Sequence, residues 1–289
     1  MDNLRGAALM TLAMLGFAIE DMFIKFMAGA LPVGQIIALL GLGGAIAFAT
    51  VIVVQRRPLF SRALLTPAIA VRSLGEIIGT IGFVTAIVFT PLSSASAILQ
   101  ATPLAVTLGA ALFLQEKVGW RRWSAILVGF CGVLLIIRPG LDGFDINSLF
   151  AIQGVIGLGI RDLATRKVPK STSSMQLSFL AFLTLVPTGL ILLHATGGVL
   201  VMPSAHLWTL IGAATILGTV SYYAIVAAMR LGDVGFVTPF RYTRLIFALV
   251  IGMLVFTERP DTLMLVGSAI IVGSGVFTVW RERKQHQSG

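Results

Sequence analysis

Five basic residues, Lys25, Arg72, Arg161, Arg241 and Arg244, fall inside long apolar runs, together with the carboxylates Glu20, Asp21, Glu76 and Asp162. An ionisable side chain in hydrocarbon costs at least ~2.5–3.5 kcal/mol, so such residues face the bundle interior, one another or a water-filled cavity. Their chemistry is recognition of a charged solute, or carriage of a proton, more readily than bond cleavage. Glu76 lies near the middle of the third apolar run and Arg244 near the middle of the ninth, so the two are expected to form an ion pair. The planar fork of an arginine can donate two parallel hydrogen bonds to a carboxylate. Arg244 is therefore a candidate for substrate recognition, and Glu76 for recognition of an amine or for proton coupling.

Around these two stand further candidates. Glu20 and Asp21 point about 100° apart on a helix. Glu20 is assigned to the cavity, while Asp21 and Lys25, spaced i,i+4, are expected to pair locally. Arg241 lies three residues before Arg244 and two after Pro239, which makes Pro239 and Arg241 gating candidates. Arg161, beside Asp162 near the end of the sixth run, reads as a cap or gate. Gln100, Tyr242, Thr80, Tyr222 and Phe83 would line the substrate pocket. Most of the 31 glycines are helix-packing residues, but Gly16, Gly79 and Gly157 are expected to make room for substrate.

Enzyme chemistry has little to work with. The histidines are isolated, and no HExxH, GxSxG or Walker A sequence occurs. The only carboxylate pair to weigh for intramembrane hydrolysis is Glu20 with Glu76. Cys131 is the single cysteine, which excludes an internal disulfide. Its setting, GFCGVLL, reads as a small buried apolar position. No catalytic residue, metal ligand or cofactor is expected.

The elements that must hold these residues follow from composition. Of 289 residues, 57% are hydrophobic and 11% charged, with a mean hydropathy of +0.96. Soluble domains carry roughly a quarter charged residues. A membrane-spanning helix needs about 20 apolar residues, and ten runs qualify: 4–28, 33–54, 67–89, 92–114, 120–138, 148–166, 172–194, 206–229, 234–257 and 262–280. Little chain remains for a soluble domain. Pro103, Pro187 and Pro239 lie within runs and are expected to kink or loosen them. Of the 21 Lys and Arg residues, 14 fall on one face and only Arg138 and Arg259 on the other. The positive-inside rule then places both termini in the cytoplasm. The net charge of +9 is a topology signal, and no nucleic-acid partner is expected.

The chain also repeats itself. AIVFTPLSSASAILQATPLAVTLGAALFLQEK from Ala86 aligns without a gap with AMRLGDVGFVTPFRYTRLIFALVIGMLVFTER from Ala228, at an offset of 142. Glu116 thus matches Glu258, Gln100 matches Tyr242, and Thr80 matches Tyr222. Each half, 4–138 and 148–280, holds five spans, and residues 281–289 form a basic cytoplasmic tail. Because five is odd, the second half is inverted. Inverted repeats can exchange packings and open a midplane site alternately to the two sides.

Ten spans in two halves, with ALFLQEKVGWRRW and MLVFTERPDTLMLVGSAIIVGSG at their ends, resemble the EamA domains of the drug/metabolite transporter superfamily. GLGIRDLATRKVP and TPFRYTRLIFA are similar to its bacterial amino-acid exporters. The resemblance implies a secondary carrier of the bacterial inner membrane that exports amino acids or related small metabolites by alternating access, as a monomer in the lipid bilayer. The chain departs from the family at Leu40 and Gly41, where many members carry Arg. Few cavity aromatics point to neutral or zwitterionic amino acids over aromatic ones. Other readings are an importer of a larger metabolite such as S-adenosylmethionine, a non-transporting scaffold and an open channel.

Overall fold

The computed structural model describes residues 2–61, 64–115, 119–141, 144–169, 172–231 and 234–287. Among these there are helices and loops and no β-strand. The helices are α1 (Asp2–Met27), α2 (Val33–Val54), α3 (Pro67–Phe89), α4 (Leu92–Leu99), α5 (Thr102–Phe113), α6 (Trp120–Ile137), α7 (Ser148–Thr165), α8 (Ser174–Ala195), α9 (Ala205–Leu231), α10 (Val234–Val237), α11 (Thr243–Val255) and α12 (Thr262–Gln287). α4 and α5 share one span, as do α10 and α11, so the twelve segments make ten spanning units.

Eight units are long and apolar enough to cross a bilayer. The other two are shorter. The apolar part of α6 is Trp123–Ile137, and the 18 residues of α7 include Arg161 and Asp162. Both are carried by longer neighbours, α6 by α12 and α7 by α3. The exterior of the bundle is apolar, with Ile46, Leu74, Ile191, Ile216 and Leu254 all more than half exposed. This is the outside of a multi-pass membrane protein. Cys131 belongs to that exterior rather than to the core. In lipid an apolar side chain loses nothing by facing outward, so apolarity alone did not reveal its side.

The closest helix pairings are α3 with α7, α2 with α8, α1 with α9 and α6 with α12. Exchanging the first five spans for the second five maps this set onto itself. Glycines permit the closest of these approaches. A Cβ at Gly75 would stand 2.6 Å from the Arg161 backbone nitrogen, and one at Gly82 would stand 2.6 Å from that of Gly154. Gly157 abuts Gly79 backbone to backbone.

The fourth and ninth spans are broken, not merely kinked. α4 stops at Leu99, and α5 begins at Thr102 with Pro103 in its first turn. There a proline has no hydrogen bond to lose. In the repeat, a 3-10 turn, Thr238–Tyr242, separates α10 from α11 and contains Pro239. Each break has a threonine hydroxyl donating to the carbonyl three residues back, Thr102 to Leu99 at 2.6 Å and Thr243 to Phe240 at 2.7 Å. Pro187 instead sits within an unbroken α8. α12 continues to Gln287, so the backbone of the expected tail is helical that far. Glu116, Lys117, Arg62 and Lys170 lie outside the described residues.

Below, the end of the bundle where α1 begins is called proximal, and the end where it finishes distal. At the distal end the Glu258 carboxylate caps α4. It accepts hydrogen bonds from the Leu92 and Ser93 backbone N–H groups at 2.6 and 3.0 Å and from the Ser93 hydroxyl at 2.6 Å. A negative charge at a helix N-terminus is favourable. Lys25 lies 3.8 Å from Glu258 and donates to the Ile87 and Thr90 carbonyls. The local Asp21–Lys25 pair expected from the i,i+4 spacing is therefore not formed, because these acceptors hold the ammonium. Glu258→Ala should lower stability by about 0.5–2 kcal/mol, the range for a lost N-cap, read as a drop in detergent melting temperature. Glu258→Asp should recover part of it.

Also at the distal end, Arg138 forms a bidentate ion pair with Asp261, which in turn caps α12 by accepting from the Met264 N–H at 2.8 Å. The hydrogen bond from Arg138 holds the Asp261 carboxyl below the usual carboxylate range. Its folded-state value is the lower one, so the stabilisation is present above about pH 4 and is lost as pH falls through the folded value. The pair is half exposed at Asp261, which limits the effect to under about 1 kcal/mol. An acid titration of melting temperature should show a limb that Asp261→Asn flattens.

Candidate functional site

A cavity of about 360 Å³ lies at the centre of the bundle, lined from both halves. That volume is within the range of small-molecule sites. The two broken spans, α1, α3, α7, α8 and α9 supply most of its wall. Glu20, Glu76, Gly79, Thr80, Phe83, Gln100, Arg161, Tyr222, Arg241, Tyr242 and Arg244 all reach it.

The charges pair differently from the expectation. Arg244 does not meet Glu76. Its guanidinium holds Asp21, with Nη2 at 2.8 and 2.7 Å from the two carboxylate oxygens and Nε at 3.1 Å from one of them. The rings of Phe17 and Phe83 flank the same guanidinium, at 5.2 and 5.1 Å from their centroids. Asp21 is 2% exposed, and this pair joins α1 to α11. Glu76 is instead held by Arg161 of α7, 3.2 Å away, and by Arg72 one turn earlier on α3, at 3.7 Å. Arg161 Nε also donates to Asp162 at 2.8 Å. The Arg161–Asp162 unit is thus part of the cavity wall as well as the end of a helix.

One cluster is centred on the Asp21–Arg244 pair, the other on Glu76 with Arg72 and Arg161. Two charges remain unspent. Among the described residues neither the Glu20 carboxylate nor the Arg241 guanidinium makes a hydrogen bond or ion pair. Glu20 lies against Gly218 of α9, in the space a side chain there would take, and within electrostatic range of Asp21 and Arg244. Arg241 is within electrostatic range of Asp162, and its carbonyl accepts a 3.4 Å hydrogen bond from Gln100. That bond joins the two breaks.

Aromatic rings complete the wall. Phe182 and Tyr222 line the cavity, their centroids 6.5 Å apart, and both pack on Phe48. Tyr242 reaches the cavity, but its hydroxyl lies where a side chain of Gly275 on α12 would be, and it has no hydrogen-bond partner. Its polar tip is turned away from the solute space.

Two positions expected to make room for substrate are not in the wall. Gly16 is packed against Ser221, and Gly157 against Gly79, so each serves a helix crossing. Pro239 lies in the 3-10 turn that presents Thr238 and Arg241 to the cavity. Sequence reasoning in turn missed Phe17, Arg72, Asp162 and Phe182 as lining residues, and Asp21 as the partner of Arg244. The intramembrane position of Arg72 and Asp162 was the available signal. The two phenylalanines carried none among 18.

An all-helical membrane bundle around a charged central cavity is the build of a transporter. The EamA-like transporter family model matches residues 4–138 and again 146–280, and the chain belongs to that family. It is 31% identical over 199 residues to a riboflavin transporter of Vibrio cholerae, covering 68% of this chain and 66% of that protein. It is 24% identical over 194 residues to an S-adenosylmethionine uptake transporter of Rickettsia bellii, covering 67% and 66%. In these two matches the chain spans just under two thirds of the relatives' length. A pseudopaline exporter of Pseudomonas aeruginosa is matched more fully, at 25% identity over 275 residues, 92% of this chain and 93% of that one. A solved crystal structure shares the fold with a TM-score of 0.61 at 18% identity, over 96% of this chain and 98% of the other.

Proposed function

We propose that the chain is a secondary carrier that exports amino acids or amino-acid-bearing metabolites across the bacterial inner membrane. It works as a monomer with both termini in the cytoplasm. The observation that carries this reading is a central cavity, walled by both halves, with one free carboxylate and one free guanidinium, Glu20 and Arg241. A solute bearing a cation and an anion would satisfy both. The outward direction draws on the exporter matched along 92% of the chain.

In this mechanism the halves 4–138 and 148–280 rock about the cavity. The distal contacts of Glu258 with α4 would part when the cavity opens there, and the contact of Glu76 with Arg161 would part when it opens proximally. Arg244 holds α1 to α11 through Asp21 and shapes the pocket with Phe17 and Phe83. Glu76 would couple to movement through Arg161 and not through Arg244.

The test is counterflow of a labelled amino-acid panel in proteoliposomes, with and without a pH gradient. Saturable exchange is expected. Flux that never saturates would mean a channel, and no exchange of any solute would end the carrier reading. Uptake of S-adenosylmethionine is the second reading, favoured by the match to uptake transporters for that compound. Exchange of labelled S-adenosylmethionine with no amino-acid exchange would select it.

A further inference from the structure

The offset of 142 relates two lysines as well as the cavity residues. Lys25 maps onto Lys167, as Glu20 maps onto Asp162. α3 ends at Phe89 and α9 at Leu231, which are also equivalent. α1 packs on α9, and the repeat of that pair is α7 with α3. The lysines therefore hold the same place in the two halves, Lys25 at the distal end and Lys167 at the proximal end. Their surroundings differ. The Lys25 ammonium donates to the Ile87 and Thr90 carbonyls at 3.2 and 2.5 Å, at the C-terminal end of α3. A cation is favourable at a helix C-terminus. The same ammonium lies 3.8 Å from Glu258 and 5.4 Å from the centroid of the Phe256 ring, just beyond α11. These contacts tie the ends of α1, α3 and α11 together beside the buried apolar side chains of Ile24, Met27 and Leu92. Lys167 is exposed, and among the described residues its ammonium makes no hydrogen bond or ion pair.

We infer that the two lysines are alternate latches, and that the structure is the conformer in which Lys25 closes the distal end and Lys167 is released at the proximal end. In the opposite conformer Lys25 leaves the end of α3, and Lys167 closes on the C-terminal turn of α9, where the Met229 carbonyl is the equivalent of that of Ile87. This rests on the carrier reading above and specifies what holds each of its conformers. The last carbonyls of a helix lack an intrahelical partner, so the end of α9 offers the kind of acceptor that the end of α3 gives Lys25. Inverted repeats exchange packings, and a contact made by one half in one conformer passes to the other half in the other. The cavity wall has the same asymmetry. Thr165, at the proximal end of α7, lines it and is exposed, whereas Ile37, in the first turns of α2 at the distal end, lines it and is 1% exposed. Neither lysine lines the cavity, so both are positioning residues.

A membrane-impermeant maleimide reads the two conformers in right-side-out and inverted membrane vesicles, which present the two faces separately. Cys131→Ser removes the single native thiol, and Ile37→Cys then reports the distal side. With Lys25 intact, Ile37→Cys should be protected from the distal face. Lys25→Met should raise its labelling from that face about tenfold, the effect of losing a hydrogen-bonded charge from one conformer only. Adding Lys167→Met to Lys25→Met should return labelling toward the protected level, because the distal-open conformer then loses its own latch. Labelling that ignores Lys25→Met, or that ignores the added Lys167→Met, overturns the inference. Lys167→Met alone keeps the test open if Lys25→Met misfolds, since the fold described makes no use of that ammonium. It should slow counterflow at an unchanged melting temperature, and counterflow at the wild-type rate overturns the inference. Counterflow by the wild-type chain tests the carrier reading by itself. Exchange that persists while labelling ignores the latch variants removes only the latches, and failure to exchange any solute removes the carrier reading.

Discussion

Asp21→Ala is expected to destabilise the protein by about 3–5 kcal/mol and to abolish transport. Breaking a buried pair by removing one partner costs that much, because the other charge stays buried and uncompensated. Asp21 is almost wholly enclosed and accepts three hydrogen-bond contacts from Arg244. Phe17 and Phe83 flank the guanidinium, whose remaining exposure is 17%. The pair also joins helices from opposite halves. The double change Asp21→Leu with Arg244→Met should regain most of the stability, since apolar replacements of a buried pair are often neutral or better. Transport should stay lost, because the pocket wall changes. Melting temperature in detergent and exchange in proteoliposomes read the two effects separately. If Asp21→Ala melts like the wild type, the pair is not structural.

The second large effect is at a glycine. Gly157→Leu should destabilise by about 3 kcal/mol, at the upper end for overpacking, and should slow transport even in the folded fraction. A Cβ at Gly157 would lie 2.5 Å from the Gly79 Cα and 2.8 Å from the Ile78 carbonyl carbon. These are backbone atoms with no rotamer to absorb the clash. α7 would have to move away from α3, and Arg161, four residues on, would move with it from Glu76. Gly212, where a Cβ meets nothing within 4 Å, is the control. Gly212→Ala should leave melting temperature and exchange unchanged. Equal behaviour of the two variants would refute the packing role.

Sequence patterns identified the spans and the intramembrane charges because both rest on local chemistry. A run of 20 apolar residues has one stable use, and an ionisable residue inside it has few. The offset of 142 also placed Gln100 and Tyr242 at corresponding positions, and both border the breaks that open the cavity wall. Partner choice was not local. Lys25 had Asp21 one turn away in its own helix, yet it reaches Glu258 and two carbonyls at the C-terminal end of α3. Spacing along a helix lists neighbours on one surface. It is silent about acceptors brought in by another element.

The intramembrane charges show the division. Their number, type and place inside the apolar runs were determined by the sequence alone. Only tertiary structure decided that Arg244 takes Asp21, that Arg161 takes Glu76, and that Glu20 and Arg241 are left over. The physical reason is that an ion pair forms between whichever opposite charges the glycine-lined crossings bring within about 4 Å. Those crossings are set by backbone contact between helices far apart in the chain.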